Sequence, residues 1–419
     1  MTPSGAPKPT VSVDANRVAS VRRSNLGVIL KLLRDHGPRS RSRLAAETAL
    51  PKATVSTLIA ELIERGLLRE GDLTRGQGLG RPGQTLELDG RGVCGLGLEI
   101  SATALRALAV DADGRTVSAA DEPLDAAALG PEETLARVAL LARRALDEAD
   151  GRGVQTLRIC LATPGTVDPD HGTVLLAAGL GWRDVPAAAL LRRGLGPGAP
   201  DLRVENDAHA ATLAEAALTP QAAGGLLLLT GESGVAAGVA VDGRIARLAG
   251  EVGHAALGPA DTRCPCGRRG CWETVVGVPA LLDLAADADD PVRDPARALP
   301  DRLAELRRRA DAGDPRTLRA LAEVTGHLCH GLTVLSDLIG PRTIVLGGYF
   351  AVLADHFVPA AQAALDARTL VPDRAPGVTV TGSGLGFAAA VHGAAAVALE
   401  ALYEDPTQVS PVELPPATV

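Results

Sequence analysis

One histidine and three cysteines lie close together in a chain that contains few residues of either type. Between Gly253 and Glu273 the sequence reads GHAALGPADTRCPCGRRGCWE, and within it stand four residues with the chemistry of metal ligands: His254, Cys264, Cys266 and Cys271. Four soft or borderline ligands can surround Zn²⁺ tetrahedrally, and a site in which every position is a protein atom is structural. The segment predicts a structural Zn²⁺ loop; the alternatives are a disulfide and uncoordinated buried thiols.

Charge divides the chain into a basic N-terminal part and an acidic remainder. The formal net charge is −8, yet the stretch from Arg17 to Arg81 holds 13 Lys or Arg against 6 Asp or Glu. Such an asymmetry favours a nucleic-acid partner for the basic part. Residues 1–20 show no apolar signal core and predict a disordered leader. No run of about 18 apolar residues exists that could span a bilayer, so we expect a cytoplasmic protein with no membrane partner.

The basic part, residues 21–90, carries the pattern of a winged helix-turn-helix. Three helical patterns follow one another between Ser24 and Leu68, and Leu67–Leu68 can pair with residues 85–88 as a wing. The third helix presents small polar and basic groups opposite its apolar stripe, which permits entry into a major groove. The predicted contacts to double-stranded operator DNA are Arg41, Lys52, Ser56, Thr57 and Arg81. The alternative is a helical protein-interaction domain with a solvated basic face.

Strands and helices alternate beyond Gly92, and this alternation predicts a mixed α/β body. Near its end, VTVTGSGLGFAAAVHGAA places Gly384, Gly386 and Ala389 between a strand and a helix, as a dinucleotide-binding fingerprint would. That fingerprint needs a further strand carrying an acidic residue about 20 positions on. The chain offers none there, so we interpret the glycines as close helix-to-strand packing.

The segment GEVGH…CPCGRRGCWE resembles the zinc loop of the ROK family, whose members are repressors and sugar kinases. The resemblance extends over roughly residues 20–403 and implies a two-lobed, actin-like (ribonuclease H-like) α/β domain behind the winged helix-turn-helix. The expected bounds are 91–405 for this domain, with lobe one at about 91–205 plus 386–405, lobe two at about 206–385, the zinc loop at 254–273, and a tail at 406–419.

The resemblance also implies a sugar site between the lobes. VENDAHA is similar to the family's Asn-Asp motif, so Asn206 would bind sugar hydroxyls and Asp207 would occupy the position of a kinase's general base. Glu251, His254 and Glu273 would complete the site. His254 would ligate Zn²⁺ through one ring nitrogen and donate from the other to a hydroxyl, which fixes its orientation. The alternative is that these carboxylates are ordinary solvated acids.

Two segments depart from the phosphate-binding loops of the family's kinases. In GLEISATAL, Glu99 stands for the usual aspartate, and larger side chains replace glycines at Ser101 and Ala102. In TGESGVAAG, Glu232 lies where anionic phosphates would be held. A phosphate-binding loop must bring backbone N–H groups close to the phosphate oxygens, and side chains larger than glycine obstruct that approach. A carboxylate beside the loop would also repel the phosphate. We therefore expect no phosphoryl transfer and no catalytic residue, although an ATP-dependent ROK sugar kinase remains the rival hypothesis.

These observations together predict a ROK-type DNA-binding transcriptional regulator, a repressor of carbohydrate genes whose effector is a sugar or phosphosugar. We expect a homodimer or higher homo-oligomer, because one winged helix reads one half-site. We also expect the winged helix to fold separately from the body. A third alternative is a constitutive DNA-binding protein whose body binds nothing.

Overall fold

The computed structural model describes residues 12–74, 83–219, 224–232, 234–246, 251–368 and 377–411. Its helices are α1 (Ser12–His36), α2 (Arg41–Thr48), α3 (Lys52–Glu64), α4 (Ala126–Gly151), α5 (Ala187–Leu195), α6 (Asp207–Leu218), α7 (Glu273–Val276), α8 (Val278–Ala285), α9 (Leu299–Asp311), α10 (Pro315–Ile339), α11 (Tyr349–Val352), α12 (Ala354–Asp366) and α13 (Ala389–Glu404).

The strands form four sheets. In chain order they are β1 (Arg39–Ser40), β2 (Leu68–Thr74), β3 (Gly83–Leu88), β4 (Val93–Ile100), β5 (Ala104–Asp111), β6 (Thr116–Pro123), β7 (Gln155–Thr163), β8 (Thr166–Asp168), β9 (Thr173–Ala177), β10 (Trp182–Val185), β11 (Asp201–Asn206), β12 (Leu226–Gly231), β13 (Val235–Val241), β14 (Arg244–Ala246), β15 (Thr343–Gly348) and β16 (Thr379–Gly382).

Helices α1 to α3 and the sheet β1-β3-β2 form the N-terminal helix-turn-helix and its wing. The Ser40 hydroxyl accepts from the Arg43 N–H and caps α2, and Ala49 makes the turn with a left-handed φ of 55°. The apolar stripe of α3 is buried, as the sequence pattern predicts. Wing pairing is also confirmed, since Leu68 lies opposite Leu88.

The first helix begins earlier than expected. A disordered leader was predicted over residues 1–20, but α1 starts at Ser12. The prediction was wrong for residues 12–20 because that stretch has no apolar periodicity, and Val18 and Val21 are correspondingly exposed in the helix. Helix formation here continues outward from the buried C-terminal half of α1, since adding residues to an existing helix is far easier than nucleating one.

The body contains two five-stranded sheets of the same topology. Their strand orders are β11-β7-β4-β5-β6 and β14-β13-β12-β15-β16. In each sheet the strand that comes first in the chain, β4 or β12, lies in the centre. Its second and third strands pair antiparallel on one side, and two later strands pair parallel on the other. This duplicated α/β arrangement confirms the two-lobed architecture.

Helices α6 and α13 lie against each other between the two sheets. Close approach is possible because glycines face the neighbouring backbones: a Cβ at Gly393 would lie 1.7 Å from the Ala210 carbonyl oxygen, and one at Gly97 would lie 2.4 Å from that of Val391. The packing role assigned to Gly384 and Gly386 was wrong, since neither has a neighbour within 4 Å of such a Cβ. Gly386 instead adopts a φ of 54°, which favours glycine.

Residues Gly386–Glu404 are long and apolar enough to cross a membrane by length and composition alone. Their helical part, α13, packs against the central strand β4 and against α6, and Ala394, Ala395 and Ala398 are completely or almost completely buried. This environment is that of a core helix, and it explains the apolar composition without a bilayer.

The helix-turn-helix shares its apolar core with the body. Leu26 and Ile29 of α1 belong to the same buried cluster as Leu402 and Tyr403 of α13, and Val409 of the expected tail joins them. The Arg65 guanidinium donates to the carbonyl oxygens of residues 407 and 409. The expectation of a separately folding winged helix was therefore wrong, because its α1 completes its core with residues from the far end of the chain.

Candidate functional site

A cleft lies between the two lobes, and side chains from both of them line it. Glu99 comes from β4, Asp207 from the start of α6, Glu232 from just after β12, Gly386 from the turn before α13, and Ala390 from the first turn of α13. The segment that contains the cysteines contributes Glu251, His254, Pro265 and Glu273. The start of α13 closes the cleft between the lobes.

Four side chains beside the cleft could hold a metal ion. The ligand atoms of His254, Cys264, Cys266 and Cys271 all lie within 4.8 Å of one another. The Cys264 sulfur is 3.6 Å from His254 Nδ1, and the sulfurs of Cys266 and Cys271 are 3.7 Å apart. These separations correspond to the edges of a tetrahedron around a single ion.

The loop holds this shape through its glycines and one tryptophan. Gly267 and Gly270 have φ values of 90° and 72°, a left-handed conformation that favours glycine and lets the backbone fold around the cysteines. Trp272 is fully buried and donates its indole N–H to the His327 carbonyl oxygen, 3.0 Å away. A Cβ at Gly331 of α10 would lie 2.0 Å from the Trp272 ring. Trp272 thus anchors the cysteine loop to α10.

Four of the five predicted sugar ligands line the cleft: Asp207, Glu251, His254 and Glu273. His254 Nδ1 is 3.2 Å from a Glu273 oxygen, and its Nε2 is 3.7 Å from a Glu251 oxygen. The Nδ1 side therefore faces the cysteines and the Nε2 side faces the carboxylates of the cleft. Glu273 also accepts from the Cys264 thiol at 2.9 Å, so it borders both the cleft and the ligand cluster.

Asn206 does not line the cleft. Its side chain is buried, its amide oxygen accepts from the His209 N–H to cap α6, and its amide nitrogen donates to the Gly165 carbonyl oxygen at 2.9 Å. Both polar ends are thus used inside the protein. Asn206 thereby positions Gly165, which does line the cleft, and a direct contact between Asn206 and a sugar stays a prediction.

Burial raises the pKa of two acids that line the cleft, Asp207 and Glu251. Burial raises the pKa of Asp207 to about 7, and the carboxylates of Glu251 and Glu232 add to the rise, while the Ala208 N–H opposes it. Burial also raises the pKa of Glu251. Near neutral pH Asp207 can therefore donate or accept a proton in a hydrogen bond to a hydroxyl.

The other end of the cleft is bordered by an ion pair and a closed turn. Glu99 is buried and accepts from Arg106 at 2.8 Å. In the turn that follows β4, the Ser101 hydroxyl accepts from the backbone N–H groups of Thr103 and Ala104. These N–H groups point inward to their own turn. Thr103 in turn donates from its hydroxyl to Glu232 of the opposite lobe, 3.0 Å away.

The exposed face of α3 carries the predicted DNA contacts Lys52, Ser56 and Thr57. The Ser56 and Thr57 hydroxyls donate to carbonyl oxygens of their own helix, at 3.0 and 3.2 Å. Arg41 at the start of α2 is half-exposed and pairs with Glu70 of the wing at 2.7 Å. Arg81 lies outside the described residues.

A model of the ROK family matches residues 95–401. The chain belongs to the ROK family. A model of the IclR helix-turn-helix domain matches residues 25–72, which contain the C-terminal half of α1, all of α2 and α3, and the start of the wing. The two matches follow one another along the chain, so a ROK body stands behind a helix-turn-helix of IclR type.

Relatives of this ROK protein span most of its length. The xylose repressor of Caldicellulosiruptor bescii is 24% identical over 365 residues, which cover 84% of this chain and 89% of that protein. The N-acetylglucosamine repressor of Escherichia coli is 24% identical over 388 residues, covering 88% and 90%. The crystal structure of a ROK family transcriptional regulator, a homolog of the E. coli Mlc protein, matches with a TM-score of 0.74 at 23% identity and covers 92% of this chain and 97% of that chain. It shares the fold.

Sequence reasoning missed several residues that shape the site. Trp272 and the start of α13, including Phe387, gave no chemical signal because they contribute apolar contacts and backbone. The strand–glycine–helix pattern around Gly386 was noticed and assigned to packing alone. The left-handed glycine at a strand-to-helix turn was the available signal, since such turns bring backbone close to ligands.

Proposed function

We propose that this ROK protein is a DNA-binding transcriptional repressor of carbohydrate genes that responds to a sugar bound between its lobes. One observation carries the proposal: α13 lines the cleft at its first residues and packs against α1 of the helix-turn-helix at its last. Two relatives of this chain are named as a xylose repressor and an N-acetylglucosamine repressor, and these names support a sugar effector and the repression of transcription. A single rigid element therefore links the place of the ligand to the DNA-reading domain.

Helix α3 would read the operator. Lys52 would contact phosphate or a base edge, and the Ser56 and Thr57 hydroxyl oxygens can still accept hydrogen bonds while they donate to their own helix. Arg41 would leave its ion pair with Glu70 and bind a DNA phosphate instead, because a half-exposed surface ion pair is weak. Arg81 would reach the minor groove from the wing. Because its partner would be genomic DNA, the protein would act in the cytoplasm.

The ion held by the cysteine loop would be a structural Zn²⁺. Three sulfurs and one imidazole suit Zn²⁺, and ligand separations of 3.6 and 3.7 Å fit bonds of about 2.0–2.3 Å. When bound, the ion gives no open position to water, so it supplies no catalysis. Its ligand His254 would keep the Nε2 edge toward the cleft, where that edge donates to a sugar hydroxyl.

We propose that the protein is not an enzyme. A kinase must present free backbone N–H groups to ATP phosphates. Here the N–H groups of residues 103 and 104 donate to Ser101, and Glu232 adds a negative charge beside them. Asp207 alone, without a phosphate cradle, supplies a base and no phosphoryl donor.

The sugar would act by shifting a population between two arrangements of the lobes. Closure around Asp207, Glu251 and His254 would move the start of α13, and α13 would carry the movement along its 16 residues, about 24 Å, to α1. Arg34 of α1 is 4.4 Å from the Tyr403 ring and pairs with Glu400 of α13. A homodimer would convert this into a change of half-site spacing.

Sugar-dependent DNA binding tests the proposal. Full-length protein is allowed to select genomic fragments, and binding to the selected operator is then titrated with common hexoses, pentoses and aminosugars. We expect one sugar to change the operator affinity at least about tenfold and to raise the melting temperature of the protein. Lys52→Ala is expected to weaken the operator complex and to lower the salt dependence of its affinity. Arg137→Ala removes an exposed charge from the body and serves as the matched control.

Two other outcomes would replace the proposal. Operator binding that no sugar alters, with no sugar-induced thermal stabilisation, would make the protein a constitutive DNA-binding protein. ATP-dependent phosphorylation of a sugar at ordinary kinase rates, about 1–100 s⁻¹, would make it a kinase.

A further inference from the structure

The part of the cleft away from the cysteine loop is rich in carboxylates and poor in cations. Glu99, Asp207 and Glu232 line it, and Glu251 and Glu273 line the adjoining sugar end. Among the described residues that line the cleft, none is Lys or Arg. The nearby cation, Arg106, is itself held by Glu99 and Asp121. Among the residues that the structure describes, an anionic ligand in the cleft would meet five carboxylates and no Lys or Arg side chain.

Glu99 supplies a second observation, independent of the count of charges. Only 4% of the residue is exposed, and while one carboxyl oxygen accepts from Arg106, the other oxygen is buried without a hydrogen-bond partner. Buried polar atoms in folded proteins are nearly always paired, so an orphaned acceptor in a side chain that lines a cleft indicates a missing donor. Burial raises the pKa of Glu99 to about 8, Arg106 offsets the rise only in part, and Glu232 and Asp207 add to it, so the three carboxyl groups would be ionised together near neutral pH only beside a bound cation.

We propose that this end of the cleft, formed by Glu99, Asp207 and Glu232, is a subsite for a protonated amino group, so that the effector is an unphosphorylated sugar carrying a free amine. The inference rests on the proposed sugar response and names its ligand class. An ammonium offers three donors and a positive charge, whereas a hydroxyl offers one donor and no charge. It satisfies the orphaned Glu99 oxygen and relieves the repulsion among the three carboxylates.

A bare divalent metal ion is a poorer occupant of the same place. Among the described residues, the cluster whose ligand atoms converge on one point is the histidine and cysteine cluster, and the three acids form no comparable group. A metal needs several ligands at one distance from one centre, while an ammonium donates in separate directions to acceptors that stand apart.

Calorimetric titration of the zinc-loaded full-length protein with matched sugars tests the subsite. Glucose, galactose and mannose are each compared with the 2-amino and 2-acetamido forms of the same sugar, and glucosamine with its 6-phosphate, at pH 6.5 where the amine is mostly protonated. In at least one series we expect the amino sugar to bind at least about tenfold more tightly than the neutral sugar. Acetylation and phosphorylation should each remove that advantage.

Variants at the subsite locate the effect. Glu99→Gln and Glu232→Gln should each reduce the ratio of amino-sugar to neutral-sugar affinity to less than about threefold, whereas a general loss of sugar binding would leave this ratio unchanged. Glu132→Gln, at an exposed glutamate of α4, is the matched control. If Glu99→Gln does not fold because Arg106 loses its partner, Glu232→Gln and the unsubstituted protein still decide the question.

The outcomes separate the inference from the function on which it rests. Equal affinity for amino and neutral sugars, or tighter binding of the phosphorylated sugar, overturns the amine subsite and leaves the sugar response standing. Binding of no sugar in any series overturns both.

Discussion

His254 lies between the cysteine loop and the cleft, and its two ring nitrogens face different partners. Nδ1 is directed toward Cys264 and Glu273, and Nε2 toward Glu251. A neutral imidazole that binds a metal through one nitrogen carries its proton on the other. An ion bound at Nδ1 would therefore leave the Nε2 N–H as the donor that faces the cleft. The sugar site would then depend on an ion that no sugar touches.

Removal of one sulfur ligand tests this dependence. Cys266→Ser should lower the zinc content well below one ion per chain and lower the melting temperature by about 5 °C or more, because loss of a structural metal removes folding free energy. It should also weaken sugar binding. Metal analysis and thermal denaturation measure these effects. Cys329→Ser is the control, since Cys329 lies in α10, away from the ligand cluster. Full zinc retention in Cys266→Ser would contradict the assigned ligand set.

Asp207 links the cleft to the pH dependence of stability. Its pKa is about 7 in the folded protein, and burial is the main cause, whereas an unfolded aspartate titrates near 3.9. A raised pKa means that the folded state holds the proton longer, so this group's contribution to stability falls as pH rises from about 4 to about 7. Asp207→Asn should remove that fall.

The expected change in the free energy of unfolding is large enough to measure. Relative to the unsubstituted protein, the free energy of unfolding of Asp207→Asn should gain about 2 kcal/mol between pH 5 and pH 8. Denaturant unfolding at several pH values measures it, and Asp147→Asn, at an exposed position of α4, should show no such trend. A stability difference that does not change with pH would mean that Asp207 is not held protonated by burial.

In the proposed mechanism helix α13 couples the cleft to the helix-turn-helix, because α1 packs against its C-terminal end. The contact is close because Gly27 of α1 has no side chain: a Cβ there would lie 2.1 Å from the Tyr403 carbonyl oxygen. A backbone carbonyl cannot move aside without moving α13. The two helices are thereby held in one relative position.

Gly27→Ala should loosen this contact. Alanine favours an isolated helix by about 1 kcal/mol over glycine, yet the clash with backbone should outweigh that gain and lower stability by about 1–3 kcal/mol. We expect weaker operator binding and a smaller sugar effect on it, with sugar affinity retained. Gly326→Ala in α10, where a Cβ meets nothing within 4 Å, should leave all three unchanged or slightly raise stability. Equal behaviour of the two variants would remove the α1–α13 contact from the mechanism.

Local patterns predicted the elements and the clustering of the four metal-ligand side chains, because helix stripes, caps and short loops depend on residues near one another in the chain. Contacts between distant residues escaped prediction. Leu26 and Leu402 share one cluster although nearly the whole chain separates them, and nothing in either segment names its partner. Asn206 shows a related difficulty, because an asparagine that caps a helix and one that binds a sugar look alike in sequence.

The whole molecule is a two-lobed body with one helix-turn-helix, and a palindromic operator needs two of these. We expect the protein in solution to have twice the mass of one chain by light scattering, and to protect two half-sites whose centres lie about 10–10.5 base pairs or a multiple apart. A monomer that protects one half-site would contradict the dimer and the spacing mechanism.

The C-terminal end of the chain is part of the DNA-reading half of the molecule. Tyr403 and Val409 lie in the core of the helix-turn-helix, and Asp405 pairs with Arg23. Anyone who grafts this helix-turn-helix onto another sensor would therefore have to transplant two separate pieces, the first 90 residues and the last turns of α13 with residues 405–411. A fusion cut simply after the wing would leave an apolar face of α1 bare and prone to aggregate.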